Sequence, residues 1–167
     1  KDGVTVYFTR NNSENGNFSR DDEGVSRLKI YRAKVENGAW NYITELPFNG
    51  DAHSTAHPAL NADESKLYFA SDMEGSLGKS DIFVVDINSD GSFGTPNNLG
   101  NSINTESRET FPFVTNDNAL YFASDGHPGL GGLDVFATGI SDLDDTYIVN
   151  VGKPVNSEED DFSFVIN

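Results

Sequence analysis

The sequence predicts an all-β protein built from β-propeller blades, each of four antiparallel strands, with about three blades of an incomplete ring present. Three repeated signals predict it. An apolar-Tyr-Phe run occurs three times after a polar turn, as Val6-Tyr7-Phe8, Leu67-Tyr68-Phe69 and Leu120-Tyr121-Phe122. A second signal, Asp81-Ile82-Phe83 and Asp134-Val135-Phe136, begins twelve residues after the Phe in both later copies. A third, marked by proline, stands ahead of them as His57-Pro58-Ala59-Leu60 and Phe111-Pro112-Phe113-Val114.

Each unit therefore reads as four short strands. The first is the Pro-marked segment (57–60, 111–114). The second is the Tyr-Phe segment (4–9, 66–71, 119–124); its consecutive apolar positions suit a sheet covered on both faces, as stacked blades are. The third spans 28–35, 81–87 and 133–138, and the fourth is expected around Trp40, Phe93 and Tyr147. Asn37-Gly38 supplies the positive φ that a type I′ hairpin between the third and fourth strands demands. In the first unit Lys29-Ile30-Tyr31 follows Phe8 by 21 residues, so an insertion of nine residues sits in the polar stretch 11–26.

An entry motif precedes the units: Phe48-Asn49-Gly50-Asp51, Ile103-Asn104-Thr105-Glu106 and Val155-Asn156-Ser157-Glu158. The division that results is a partial blade at 1–46, blades at 47–99 and 100–151, and the start of another at 152–167, with Phe162-Ser163-Phe164-Val165 as its first strand. A closed ring takes about four to eight blades. The chain is therefore expected to be a piece of a longer protein, or part of a ring that a partner completes.

The run Pro-x-apolar, then Leu-Tyr-Phe-Ala-Ser-Asp, then Asp-(Ile/Val)-Phe resembles the WD40-like propeller repeat of TolB-type periplasmic proteins. The segment from Ile103 through Leu120-Tyr121-Phe122-Ala123-Ser124-Asp125-Gly126-His127 to Gly131-Gly132-Leu133-Asp134-Val135-Phe136 is similar to the propeller of multidomain OmpA-family proteins of Bacteroidota. That resemblance implies a periplasmic or outer-membrane-associated scaffold with protein partners in the cell envelope. It also implies a peptidoglycan link through a domain outside this segment and, in some members, a part in type IX secretion or gliding.

Composition narrows the partners. Acidic residues outnumber basic ones 27 to 11, a formal charge of -16 that repels nucleic acid and anionic lipid surfaces. The chain contains no Cys, so disulfides and thiolate metal sites are excluded, and no apolar run approaches the roughly 20 residues of a membrane-spanning helix.

Strand alternation puts the long loops 10–27, 47–56, 72–80, 100–110, 125–133 and 152–161 at one end of the propeller, where a rigid scaffold displays function. Candidate binding residues on that face are Asp72, Lys79, Arg108, Glu109, Asp125, His127 and Asp134. Asp86, Asn88 and Asp90 match the first half of a calcium loop, but position 12 is Asn97, and hairpin chemistry is the preferred account. The recurring Asp72, Asp81, Asp125 and Asp134 could pair as a glycosidase's acids, yet recurrence at equivalent places in successive blades favours a hydrogen-bonding role. His53, His57 and His127 lack a zinc-ligand spacing, and there is no Gly-x-Ser-x-Gly elbow. The glycines of 126–132 precede a strand rather than a helix, so a phosphate loop is not indicated.

The leading expectation is thus a non-catalytic interaction module without a cofactor. The alternatives are the propeller of a glycosidase or of a prolyl-oligopeptidase-like peptidase, and a carbohydrate- or calcium-binding propeller.

Overall fold

A computed structural model describes residues 3–14, 17–140 and 147–166. Lys1, Asp2, Asn15, Gly16, residues 141–146 of the third unit and Asn167 lie outside the described residues. The strands are β1 (Thr5–Asn11), β2 (Ser13–Glu14), β3 (Asn17–Phe18), β4 (Leu28–Glu36), β5 (Ala39–Glu45), β6 (Thr55–Leu60), β7 (Lys66–Ser71), β8 (Asp81–Asp86), β9 (Asn97–Asn98), β10 (Glu109–Val114), β11 (Ala119–Ser124), β12 (Asp134–Gly139) and β13 (Val149–Asn150). They form antiparallel sheets in the orders β1-β4-β5, β6-β7-β8-β9 and β10-β11-β12-β13, three propeller blades in sequence. The insertion folds as the small β2-β3 hairpin.

The Tyr-Phe strands explain how the blades stack. Successive side chains of a strand point to opposite faces, so in β7 Leu67 and Phe69 face one neighbour and Tyr68 and Ala70 the other. The first set packs with Ile30 and Leu46 of the first blade, with Tyr7 and Phe48 against the cluster. The second packs with Leu120, Phe122 and Phe136 of the third blade. Each later blade contributes a stacked phenylalanine pair to its joint, Phe69 with Phe83 at 5.9 Å and Phe122 with Phe136 at 6.0 Å. Burying each ring stabilises the joint by about 1.5–3 kcal/mol, which makes these pairs the main adhesive between blades.

One sequence expectation is corrected. The fourth strands of the second and third blades are not centred on Phe93 and Tyr147 but are two-residue pairings at 97–98 and 149–150. Phe93 turns inward instead, edge-on to Tyr7 and Phe48 at 6.4 and 5.6 Å, and only bridges Ile87. Residues 162–166, in the segment expected to open a further unit, form no ladder with the described strands. In each four-stranded blade the first strand pairs with the second strand of its own unit, which for this segment is not among the described residues; Phe162 and Phe164 pack on Phe111 and Tyr121 of the third blade at 4.9 and 5.2 Å.

The Asn37-Gly38 turn adopts φ of 53° and 76°, as the hairpin requires. The Pro-marked strands β6 and β10 carry a bulge, with the register slipping between Ala56 and Ala59 and between Thr110 and Phe113. His57 and Phe111 occupy it at φ of 55° and 48°, and their rings stack at 3.8 Å. Burial drives the His57 imidazole's pKa down to about 4, so it is neutral in the folded protein.

Candidate functional site

The same hydrogen-bonding unit recurs in all three blades at the loop-rich end. Its anchor is the asparagine of the entry motif. Asn104 accepts the Ile82 N-H at 2.8 Å and donates to the Ile82 carbonyl at 3.0 Å. Asn49 clamps Ile30 at 3.0 and 2.7 Å, and Asn156 clamps Val135 at 2.8 and 2.9 Å. Each clamp reaches from the entry loop of one unit back to the third strand of the unit before it. The same carbonyls also accept the N-H of Leu46, Leu99 and Val151, so the outer edge of the third strand is satisfied at the end where the fourth strand gives out.

Directly before the clamped residue stands a buried ionisable side chain. In the second blade Asp81 accepts the N-H groups of Leu77 and Gly78 at 2.7 and 3.1 Å. In the third, Asp134 accepts those of Leu130 and Gly131 at 2.7 and 2.9 Å. The first blade has Lys29 in that place, bonded to Asp51 at 2.8 Å and Glu45 at 2.9 Å. Desolvation alone would lower its pKa, but those two acids outweigh it and raise it. The loop carboxylate there comes from Asp21, which accepts the N-H groups of Glu23 and Val25 at 3.0 and 2.8 Å and pairs with Arg27 at 2.5 Å.

The consequence is a row. Val25, Leu77 and Leu130 occupy the same place in successive blades, each four residues before the buried ionisable residue, and each has its backbone N-H held by a carboxylate. Their exposures are 43%, 49% and 47%. Three aliphatic side chains are thus held in solvent by clamped loops. Gly78 and Gly131 follow the leucines because the next entry loop passes against them; a Cβ would lie 2.3 Å from the Thr105 carbonyl oxygen and 2.2 Å from that of Glu159.

The candidate binding residues divide into those that hold this face and those that open onto it. Glu109 is fully buried, accepting from Thr105 N, Thr105 Oγ1 and Ser124 Oγ at 2.7, 2.8 and 2.6 Å, and so lines no accessible surface. Asp134 is fully buried too, with Oδ1 unpartnered. Asp72 accepts the Ser54 N-H at 2.6 Å and faces Arg27 at 3.4 Å. Asp125, in the equivalent place, accepts the Arg108 N-H at 2.8 Å and two guanidinium bonds at 2.9 and 2.8 Å. Partial burial opposes ionisation of Asp125, but Arg108 outweighs it and the pKa is lowered. His127 packs on Phe136 at 5.2 Å with Nε2 2.8 Å from the Ile103 carbonyl oxygen. The Lys79 side chain is exposed, while its N-H bonds Ser107. Of these candidates the structure pairs the side chains of Arg108 and Asp125 directly, and the neighbouring Glu109 and His127 tie the same two loops together from within.

Asp86, Asn88 and Asp90 serve the β8 hairpin. Lys66 pairs with Asp86 at 2.5 Å, Asn88 donates to Ser92 Oγ, and Asp90 accepts both Ser92 donors. Among the described residues no group of three or more His, Asp or Glu side chains is arranged to hold a metal ion.

Two of the cavities among the described residues lie near these loops and turns. One, of about 550 Å³, lies in the insertion of the first blade between Arg20, Asp21, Asp22 and Asp51. The other, of about 700 Å³, lies at the tight-turn end beside Tyr7, Pro58, Pro112, Phe113 and Asp117.

No family model matches the chain, and no curated protein does. Solved structures do. Puromycin hydrolase superposes with a TM-score of 0.59 at 14% identity over 91% of this chain and 22% of its own. A mutant of puromycin hydrolase complexed with PGG gives 0.54 at 13% identity over 93% and 30%. TolB from Acinetobacter baumannii gives 0.48 at 16% identity over 78% and 28%. The chain spans less than a third of each of these structures, and the likeness to puromycin hydrolase is one of fold.

Proposed function

We propose that this chain is a non-catalytic propeller module that binds a protein partner in the cell envelope through its loop-rich face. The row of Val25, Leu77 and Leu130 carries the reading. Half-exposed aliphatic side chains on clamped loops lose little conformational freedom on binding, which favours a protein ligand over a sugar. Commitment of Asp81, Asp134 and Glu109 to hydrogen bonds within the fold supports the non-catalytic reading, since an acid pair needs carboxylates that open onto substrate. A periplasmic or outer-membrane location, with a cell-wall anchor elsewhere in the parent protein, follows from the repeat's resemblance to envelope propellers.

The test is site-specific photo-crosslinking in the native envelope. A crosslinker at Leu77 or Leu130 is expected to capture one partner that the same group at Asp117, on the opposite end, does not. Equal capture from both ends, or from neither, refutes the assignment of the face. A second reading, the propeller of a peptidase, is compatible with the fold shared with puromycin hydrolase. It predicts that the captured partner is a hydrolase domain of the same polypeptide.

A further inference from the structure

The aliphatic row has a companion in charge. Two residues after each clamping asparagine stands an acid, Asp51, Glu106 and Glu158 in turn. All three are exposed. Each lies on an entry loop that runs against the loop carrying an aliphatic residue. A Cβ on Gly78 would fall 2.6 Å from the Glu106 carbonyl carbon, and one on Gly131 would fall 2.8 Å from that of Glu158. Backbone bonds hold both contacts, from Lys79 N-H to the Ser107 carbonyl at 2.7 Å and from Gly132 N-H to that of Glu159 at 3.3 Å. The chain at Leu77 is thus fixed beside Glu106 and the chain at Leu130 beside Glu158, while Val25 and Asp51 border one cavity.

The charges of these loops differ in what they leave unsatisfied. Arg27 is held by Asp21, Glu23 and Asp72, Arg108 by Asp125, and Asp51 by Lys29. The carboxylates of Glu106 and Glu158 have no such partner among the described residues, and neither have those of Asp22, Glu74 and Glu159. Against them stand the exposed Lys79 and Lys153. The face therefore keeps its cations largely committed and its anions free. Half-exposed aliphatic side chains alternate along it with open carboxylates, both carried on loops whose backbone is already ordered.

We propose, building on the loop-rich end as the binding face, that its partner is a basic amphipathic polypeptide segment. Lys or Arg side chains of that segment meet Glu106 and Glu158, and its apolar side chains cover Val25, Leu77 and Leu130. The long aliphatic stems of Lys and Arg suit a surface where carboxylate and methyl groups adjoin. A second copy of this chain would set carboxylate against carboxylate, and a polyanion would meet the same repulsion. The two kinds of side chain act at different stages of binding. Exposed carboxylates, in the field of a chain at -16, steer a cationic segment inward and set the association rate. Burial of the aliphatic row sets how long the segment stays.

Stopped-flow kinetics of the full chain with a labelled synthetic peptide of alternating Leu and Lys tests this, with a Leu-Glu peptide of equal length as control. The Leu-Lys peptide is expected to bind, the Leu-Glu peptide not, and association to slow as salt rises. Glu106→Gln with Glu158→Gln slows association by roughly fivefold or more and leaves dissociation nearly unchanged. Leu77→Ser with Leu130→Ser speeds dissociation by roughly tenfold. Glu36→Gln with Asp117→Asn removes the same charge at the tight-turn end, where both acids are exposed, and alters neither rate by more than about twofold. Melting temperatures of the glutamine variants match the parent, since neither carboxylate is bonded within the fold. An effect of the leucine pair without one of the glutamate pair overturns the basic partner and leaves the binding face standing. Failure of the Leu-Lys peptide to bind, or equal slowing by the two acid pairs, also overturns the basic partner. Binding indifferent to every loop-face substitution overturns the face with it.

Discussion

Replacing Asn104 with Ala tests the asparagine clamp most directly. The side chain is almost fully buried and makes three hydrogen bonds, to Ile82 N, to Ile82 O and to Asn98 Oδ1 at 2.8 Å. The three losses are unequal. The Ile82 carbonyl keeps the Leu99 N-H at 3.1 Å, and Asn98 Oδ1 keeps the Gly100 N-H at 2.7 Å. Only the Ile82 N-H is orphaned, at a cost of about 1–3 kcal/mol, and the vacated volume adds about 1 kcal/mol. The variant should therefore lose about 2–4 kcal/mol, a large share of the 5–15 kcal/mol typical of a folded domain. Urea unfolding followed by circular dichroism reads this as a lower midpoint at unchanged slope. Asn104→Asp sharpens the test. It keeps an acceptor for Ile82 N-H, but when ionised it sets oxygen against the Ile82 carbonyl and Asn98 Oδ1. Its loss should shrink in acid, where the protonated carboxyl can donate. An Asn104→Ala loss below about 0.5 kcal/mol, the scatter of ordinary surface substitutions, would refute the clamp as a source of stability.

Other expectations are independent of that one. His57 has a folded-state pKa of about 4 against 6.5 when free, so the unfolded chain binds the extra proton between those values. Its contribution is complete above pH 6.5 and is lost as pH falls toward 4; melting temperatures of His57→Phe should depend less on pH across that window than those of the parent. Arg108 is half exposed, so Arg108→Ala should cost no more than about 1 kcal/mol at neutral pH. Because that pair lowers the Asp125 pKa, its stabilisation holds above the carboxyl's unfolded pKa and disappears as pH falls through the folded one, where parent and variant should converge. Glu109→Ala strands Thr105 N-H and two hydroxyls in the interior, and a loss of about 3 kcal/mol is expected by chemical denaturation.

The blades were legible because their strands obey a repeated local rule. Two apolar residues in succession at Leu67-Tyr68 and Leu120-Tyr121 signal a sheet covered on both sides, and the equal spacing to Asp81 and Asp134 fixes the unit. The fourth strands were less so, since Phe93 belongs to the core through its ring rather than to a ladder through its backbone. At the loop face the asparagines were visible in the entry motif, but nothing local says that Asn104 reaches 22 residues back to Ile82. The aliphatic row was hidden for a related reason. Val25, Leu77 and Leu130 look like unremarkable loop residues until the buried position four residues on aligns them, and Lys29 in place of an aspartate disguises the first.

The clamp also has a direction. Ile30, Ile82 and Val135 each receive their asparagine from residues that come later in the chain, never earlier. During synthesis from the amino terminus, the third strand of a newly emerged blade has its outer N-H exposed until the next entry loop leaves the ribosome. Each blade is thus completed by its successor. Assembly should advance as a ratchet along the polypeptide, with the youngest blade always the loosest and most open to proteases and chaperones.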